Sequence, residues 1–148
     1  MNMDKSAIAR HIPHADAMCL LDQVVEWDQG HIRCYSGTHR DRANPLRRDG
    51  QLHVLCAVEY AAQAMAVHGA LLTGSAGQEH KPKPGYLVSV RDLAWQIDRL
   101  DQLPGLLQID AQRLMGDTQN VVYRFAVSHA GAELATGRAT VVLEASAL

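Results

Sequence analysis

The chain has 148 residues, of which 47% are hydrophobic and 20% charged, a composition typical of a globular protein. This length suits one domain with its own core, so we expect residues 1–148 to form a single domain. The formal net charge is −2, without a basic tail or an arginine-rich block. This distribution excludes the electrostatic footprint of nucleic-acid binding, and we expect no nucleic-acid partner.

The cysteines and the N-terminal segment favour a cytoplasmic location. The segment MNMDKSAIARHIPH lacks the apolar stretch of a signal peptide. The odd number and wide spacing of the three cysteines, without a CxxC pair, favour free thiols in a reducing cytoplasm. The three residues are Cys19, Cys34 and Cys56. Their number and spacing also argue against a disulfide framework or a zinc site, so we expect no metal.

The first third of the chain is predicted to contain a β-hairpin between short irregular segments. Residues 6–11 have the pattern of a short helical turn. Residues 19–27 are rich in apolar and β-branched side chains and precede DQG, a turn signal, and residues 31–39 then read as the returning strand. Residues 40–51, with the sequence RDRANPLRRDGQ, are polar and punctuated by proline and glycine, which predicts a loop.

The stretch HVLCAVEYAAQAMAVHGALL, residues 53–72, predicts a helix that is apolar on almost every side. The segment LTGSAG follows, and its glycines predict that the helix ends there. Its length is nearly that of a membrane span, but Glu59, Gln63 and His68 interrupt it and alanine supplies much of its apolar character. We therefore predict a core helix of the domain and no membrane span.

Beyond a second predicted loop at 78–84, the pattern becomes extended. Residues 85–97 predict either a strand pair or one long bent strand. Residues 106–114, 120–129 and 132–145 predict three more strands, because apolar and polar side chains alternate along them.

These elements predict an α+β domain in which a curved antiparallel sheet wraps around the helix. A helix that is apolar on nearly every side needs cover on nearly every side, and about five or six strands supply it. The arrangement is the hot-dog fold. Its free sheet edges favour pairing with a second subunit, so we expect a homodimer or a heterodimer with another hot-dog protein.

Several segments resemble the 3-hydroxyacyl-acyl carrier protein dehydratases, in the right order and spacing over most of the chain. IPHADAMCLLDQVVEW is similar to the opening of that family, VEYAAQAMAVHG to its helix motif E-A-x-A-Q, GYLVSVRDLAW to the strand after the helix, and ATGRATVVL to its last strand. Asn and Pro before the helix, followed by a glycine, resemble a branch encoded in bacterial aryl-polyene gene clusters.

The resemblance implies a thioester site between two subunits. Family members place a histidine of one subunit opposite a helix carboxylate of the other, and Glu59 falls at the carboxylate position. Gln63 matches the glutamine that orients the site. The thioester carbonyl would then accept hydrogen bonds from backbone N–H groups near Val54 and Leu55, where the helix dipole favours negative charge.

The chain departs from the family at the histidine. Fourteen residues before Glu59, where the family has its histidine, the sequence has Pro45 preceded by Asn44. Asparagine donates hydrogen bonds but takes up no proton at neutral pH. Asn44 is then either a substrate contact or a turn residue, and His53 or His39 is the candidate second proton-transfer group. The alternatives without catalysis are a helix-cap role for His53 and a solvated strand end for His39.

Three functions remain open from the sequence. The leading one is a hydro-lyase that dehydrates a 3-hydroxyacyl thioester on an acyl carrier protein or coenzyme A, in fatty-acid or polyene biosynthesis. The second is a non-catalytic partner of an active dehydratase, and the third is an acyl-thioester hydrolase. No cofactor is expected, because no nucleotide-binding glycine pattern occurs.

The loop before the helix carries a basic cluster, which consists of Arg40, Arg42, Arg47 and Arg48. This cluster is either solvated or attracts an acidic carrier protein.

Overall fold

The computed structural model describes residues 2–12, 18–73, 85–117 and 119–143, and the loop predicted at 78–84 lies outside them. Two helices are present, α1 (Lys5–Ala9) and α2 (Ala57–Leu72), with short 3-10 helices at Thr38–Arg40 and Val54–Cys56. The strands are β1 (Met3–Asp4), β2 (Gln23–Trp27), β3 (His31–Ser36), β4 (Gly85–Trp95), β5 (Leu107–Gly116), β6 (Asn120–His129) and β7 (Ala132–Leu143).

The strands form one antiparallel sheet in the order β1-β2-β3-β5-β6-β7-β4. The predicted α+β arrangement of one sheet and one long helix is confirmed. The sheet has seven strands instead of five or six, because Met3–Asp4 pairs with β2. The segment predicted as either a strand pair or a bent strand is the single strand β4, which bends at two register shifts.

Helix α2 packs on the inner face of the sheet, mainly against β3, β5 and β6. The inner positions of those strands are apolar and alternate with polar outer positions, as in Ile32 and Cys34 of β3 or Ile109 and Ala111 of β5. Residues Val54–Leu72 are long and apolar enough to cross a membrane by length and composition alone. Their buried side chains lie against the sheet instead, as in the core helix of a folded domain.

The described residues leave two surfaces uncovered. Along α2, Glu59 is exposed and Ala62, Ala66 and Gly69 are half-buried, and their spacing of three and four residues places them on one stripe of the helix. Strand β4 is the last strand of the sheet, and it carries exposed apolar side chains: Leu87, Val88 and Trp95. Both surfaces are of the kind that a second subunit covers.

A short segment, residues 98–101, fixes the start of the long helix. The Asp101 carboxylate accepts a hydrogen bond from the Leu52 backbone N–H at 2.8 Å, and the Leu52 carbonyl accepts one from the Leu100 N–H at 2.8 Å. The Asp98 carbonyl accepts from the Val54 N–H, also at 2.8 Å. Arg99 pairs with Asp101 at 2.5 Å and holds the pKa of that carboxyl well below its usual range.

Strands β6 and β7 approach each other closely at Gly137, which pairs with Phe125. A Cβ atom at position 137 would lie 2.8 Å from the tip of the Phe125 ring and 3.4 Å from the Arg91 carbonyl oxygen. Phe125 is fully buried under α2, so its ring has little room to move. A residue with a Cβ atom at this position of β7 would therefore have to displace the Phe125 ring, and glycine avoids this.

The substitution Gly137→Ala is expected to lower the free energy of unfolding by about 1–3 kcal/mol, because the added methyl group overpacks the core. In a Phe125→Leu background the same substitution should cost less, since the smaller side chain leaves room. Urea denaturation of the wild type, the two single variants and the double variant gives the free energy of interaction between positions 137 and 125. Equal costs in both backgrounds would contradict the assigned contact.

The substitution Asp101→Asn is expected to destabilise the chain by about 1–2 kcal/mol at pH 7, because the charge-assisted bond to Arg99 is lost. The Asp101 pKa is lowered in the folded state, so its contribution is complete above the unfolded pKa of about 4 and is lost as the pH falls toward the folded pKa. Urea denaturation of both proteins at pH 7 and pH 3 should therefore show that the wild type exceeds Asp101→Asn in free energy of unfolding by less at pH 3 than at pH 7. A difference that is independent of pH would contradict this role.

Candidate active site

Glu59 lies in the first turn of α2, on the stripe that the sheet leaves uncovered. Among the residues that the structure describes, none forms a hydrogen bond or an ion pair with its carboxylate. The Cys56 thiol is close enough to feel its charge: burial raises the pKa of that thiol, and the Glu59 charge raises it further. Glu59 is therefore a carboxylate at a helix N-terminus with no partner among the described residues.

His53 caps the same end of the helical segment and is also exposed. Its Nδ1 accepts a hydrogen bond from the Leu55 backbone N–H at 3.1 Å. A neutral imidazole that accepts at Nδ1 carries its proton on Nε2, so His53 presents an N–H donor to solvent. The structure thus brings the predicted Glu59 and His53 to the same exposed end of the helix, and it also gives His53 the helix-cap role that was the alternative.

The backbone amides predicted to bind a carbonyl are already used. The Val54 N–H donates to the Asp98 carbonyl, and the Leu55 N–H donates to His53. The Cys56 N–H donates to the His53 carbonyl at 2.9 Å. The amides near Val54 and Leu55, predicted as candidates for binding the thioester carbonyl, thus have partners within the chain, and their binding of a carbonyl stays a prediction. The physical reason is that a 3-10 turn, a capping side chain and the 98–101 segment satisfy these donors from within the chain.

Gln63 lies one turn after Glu59 but points into the core. It is fully buried, its Oε1 accepts from the Leu20 backbone N–H at 2.8 Å, and its Nε2 donates to the Met18 carbonyl at 2.5 Å. Both ends of the amide are occupied, so Gln63 ties α2 to the segment before β2. It has no group free for a substrate in this chain.

Asn44 is likewise buried and engaged. Its Nδ2 donates to the Thr38 carbonyl at 2.9 Å and to the Tyr60 hydroxyl at 3.1 Å, and its Oδ1 accepts from the Leu46 N–H at 2.9 Å. The Tyr60 hydroxyl also bonds the Thr38 hydroxyl at 2.8 Å. These contacts anchor the loop before the helix to α2, and they leave no donor of Asn44 for a substrate.

His39 is fully buried, so it is not a solvated strand end. Its Nε2 donates to the Leu103 carbonyl at 2.9 Å, and burial lowers the pKa of its imidazole. The ring is therefore neutral at pH 7. Its Nδ1 has no hydrogen-bond partner among the described residues. A ring with no exposed surface does not reach a thioester bound at the exposed Glu59.

The basic loop divides into two pairs of arginines. Arg40 donates to the Gly105 carbonyl at 3.5 Å, and Arg47 donates to the carbonyls of Gly50 and His39 at 2.9 and 3.0 Å. Arg42 and Arg48 are exposed. Half of the predicted basic cluster thus holds the loop together.

Tyr60 is the site-shaping residue that sequence reasoning missed. It follows Glu59 directly, so its side chain points about 100° around the helix from the carboxylate, into the core. A buried tyrosine hydroxyl needs a partner, which was the available signal. Its partners, Thr38 and Asn44, are too far along the chain to be recognised from sequence.

The arrangement offers proton transfer by one carboxylate, aided by one imidazole N–H donor. Within the described ranges, no three histidine, cysteine or carboxylate side chains come close enough together to hold a metal ion. The three thiols are free. Complete acid–base chemistry at Glu59 therefore calls for a further group from outside this chain's described residues.

The comparison with curated proteins gave no match. Among solved structures, the chain is similar to a chain of the dehydratase heterocomplex ApeI:P of Xenorhabdus doucetiae, with 27% identity and a TM-score of 0.82 over 95% of this chain and 92% of that one. It also resembles the PaaI protein of E. coli, from the phenylacetic acid degradation operon, with 14% identity and a TM-score of 0.60 over 93% and 88% of the two chains. A Pseudomonas aeruginosa thioesterase is 15% identical, with a TM-score of 0.57 over 82% of this chain and 81% of that one.

The last two similarities show the hot-dog fold alone, because their identities are low. The family comparison goes further, since a model described as the ApeP dehydratase matches residues 6–147. This match confirms the resemblance to hot-dog dehydratases of the aryl-polyene type. The chain belongs to the ApeP-like dehydratase family.

Proposed function

We propose that the chain is a subunit of a dehydratase that removes water from a 3-hydroxyacyl thioester and releases a 2-enoyl thioester. A base takes the proton from the carbon next to the carbonyl, the C–O bond of the hydroxyl breaks, and an acid protonates the departing oxygen to form water. The substrate is carried on an acyl carrier protein or coenzyme A, in fatty-acid or polyene biosynthesis in the cytoplasm. No cofactor takes part.

The observation that carries the proposal is the state of Glu59. An exposed carboxylate without a partner, in the first turn of an otherwise apolar helix, contributes nothing to packing in this chain. It lies on the uncovered stripe of α2, where a second subunit would enclose it. Enclosure would exclude water from the carboxylate and hold it against a bound substrate.

His53 has a role that follows from its hydrogen bond. While Nδ1 holds the Leu55 N–H, Nε2 carries the proton and acts as a donor, not as a base. We assign it the polarisation of the thioester carbonyl or hydroxyl, with Glu59 as the proton-transfer group. The second proton-transfer group then comes from the partner subunit, since His39 is enclosed in its own loop.

A heteromeric partner fits the two uncovered surfaces. A second hot-dog protein would add its edge strand to β4 and cover Leu87, Val88 and Trp95, and its helix would pack on the stripe that carries Glu59. The similar structure from Xenorhabdus doucetiae is described as a heterocomplex, which supports pairing with an unlike chain. A homodimer would have Pro45 in place of the family's histidine in both halves.

A second candidate is a non-catalytic partner subunit. It is favoured by Pro45, which stands where the family has its histidine, while the preceding Asn44 is fully engaged in holding the loop to Tyr60 and Thr38. In that case the chain completes the fold and the tunnel of an active subunit, and Glu59 plays no part in proton transfer.

The test is dehydration by the complex of this chain with the hot-dog protein encoded beside it. A 3-hydroxyacyl-carrier protein should lose one water, detected by mass spectrometry. The substitution Glu59→Gln should slow turnover by about 10²-fold or more, since an amide keeps the shape but transfers no proton. Glu133→Gln, which neutralises an exposed carboxylate on β7, serves as the matched control.

The outcomes separate the candidates. Full activity of the Glu59→Gln complex would assign this chain to the non-catalytic role. Release of free thiol without enoyl product would indicate hydrolysis, because elimination conserves the thioester. Absence of both products from the intact complex would reject the dehydratase assignment.

A further inference from the structure

Three arginines lie side by side across the outer face of the sheet. Arg91 of β4 pairs with Arg138 of β7, and Arg138 pairs with Arg124 of β6. Directly opposite residues of antiparallel strands point to the same face and are separated by about 5 Å. The neighbours Ala139 and Phe125 are buried in the core, so the arginines face away from α2. All three are exposed, and we call them the arginine row.

Within the described part of the chain, none of the three arginines of the row forms an ion pair or a hydrogen bond. Asp110, on the same face, is already bound by Arg33 at 2.8 Å and by His31 at 2.9 Å. Like charges placed directly opposite each other destabilise a sheet. The row therefore costs stability in the isolated chain, a cost that an acidic partner would remove.

An apolar strip runs beside the arginine row. Thr140, Val122 and Met115 are paired across β7, β6 and β5, and Val122 and Thr140 are each two residues from an arginine of the row. Met115 is 65% exposed, which is unusual for an apolar side chain on a strand and typical of adaptable contact surfaces. The outer face thus offers a line of positive charge next to a line of apolar contact.

These dimensions fit an acidic amphipathic helix. The row spans two strand spacings, about 10 Å, and a helix presents carboxylates four and seven residues apart at about 6 and 10.5 Å along its axis. Apolar side chains on the neighbouring stripe of such a helix would contact Val122 and Met115. A protruding helix also suits an open strand surface better than a small ligand, which needs a concave site.

Other occupants fit less well. A second copy docked by two-fold symmetry would place arginine against arginine. The net charge of −2 disfavours long polyanions such as nucleic acid. A phosphate ligand in the groove beside Arg124, of about 360 Å³, would meet the carboxylates of Asp110 and Glu133 that line it.

We propose that the arginine row docks the acidic helical surface of the carrier protein that presents the thioester. This inference rests on the proposed function in taking the substrate as carrier-bound. It places the docking surface on β4, β6 and β7, away from the basic loop that the sequence suggested.

The experiment measures binding of the unacylated carrier protein encoded with the complex, by isothermal titration calorimetry, so that the result does not depend on turnover. Arg124→Glu/Arg138→Glu in the intact complex should weaken the Kd at least about tenfold at an ionic strength of about 0.05 M. The difference should nearly vanish at about 0.5 M, where exposed charges are screened. The charge-matched pair Arg42→Glu/Arg48→Glu, in the basic loop, should bind much more tightly than the first pair.

A milder variant guards against misfolding. Arg138→Gln removes the like-charge contacts with both Arg91 and Arg124, so its melting temperature should equal or exceed that of the wild type while its affinity for the carrier protein falls. Wild-type affinity in the Arg124→Glu/Arg138→Glu complex, equal losses in the two charge-matched pairs, or no binding to the wild type would each overturn the docking surface. None of these results depends on whether the complex forms enoyl product, which tests the proposed function separately.

Discussion

The packing of α2 on the inner face of the sheet is the contact on which the other features of this protein depend. Most of the helix circumference is buried against β3, β5 and β6, so a functional side chain on the helix has only one stripe available to it. Glu59 lies on that stripe. The proposed site at a subunit boundary would thus be a consequence of how the core is packed, because the stripe that carries Glu59 is also the one that a second subunit would cover.

The first turn of the helical segment limits how that chemistry proceeds. Free amides at a helix N-terminus stabilise negative charge well, but here Asp98 and His53 already accept hydrogen bonds from the first two of them. In the proposed reaction, charge stabilisation at this end would therefore fall to the helix dipole and to the outward Nε2–H of His53. The segment that supplies Asp98 also orders the helix start through Asp101, so the geometry of the site and the stability of the fold share the same contacts.

The sequence predicted the elements of the fold well, because alternation of apolar side chains and a long apolar helix are local patterns. The strand count fell short by β1, whose two residues become a strand only through pairing with Val24 and Gln23. In the site, Glu59 stood out as a lone acid in an apolar helix. The occupied amides of Val54 and Leu55 did not, since the Asp98 carbonyl that binds the Val54 N–H belongs to a distant segment of the chain.

The side chains misjudged from the sequence share one property: their partners are distant in the chain. Gln63 meets Met18 and Leu20, His39 meets Leu103, and both are drawn into the interior by backbone groups. Residue type alone does not say whether an amide or an imidazole faces a substrate or a buried carbonyl. That choice is made by packing, through contacts that span 43 to 64 residues.

The hydrogen bonds of Asn44 restrict which side chains the chain accepts directly before Pro45, the position of the family's histidine. Asn44 donates twice and accepts once in a buried setting, whereas a neutral imidazole offers one donor and one acceptor. Histidine at position 44 would leave either the Tyr60 hydroxyl or the Thr38 carbonyl without its donor from this side chain. In the proposed heteromer, a second chain would supply the proton-transfer group without disturbing these contacts.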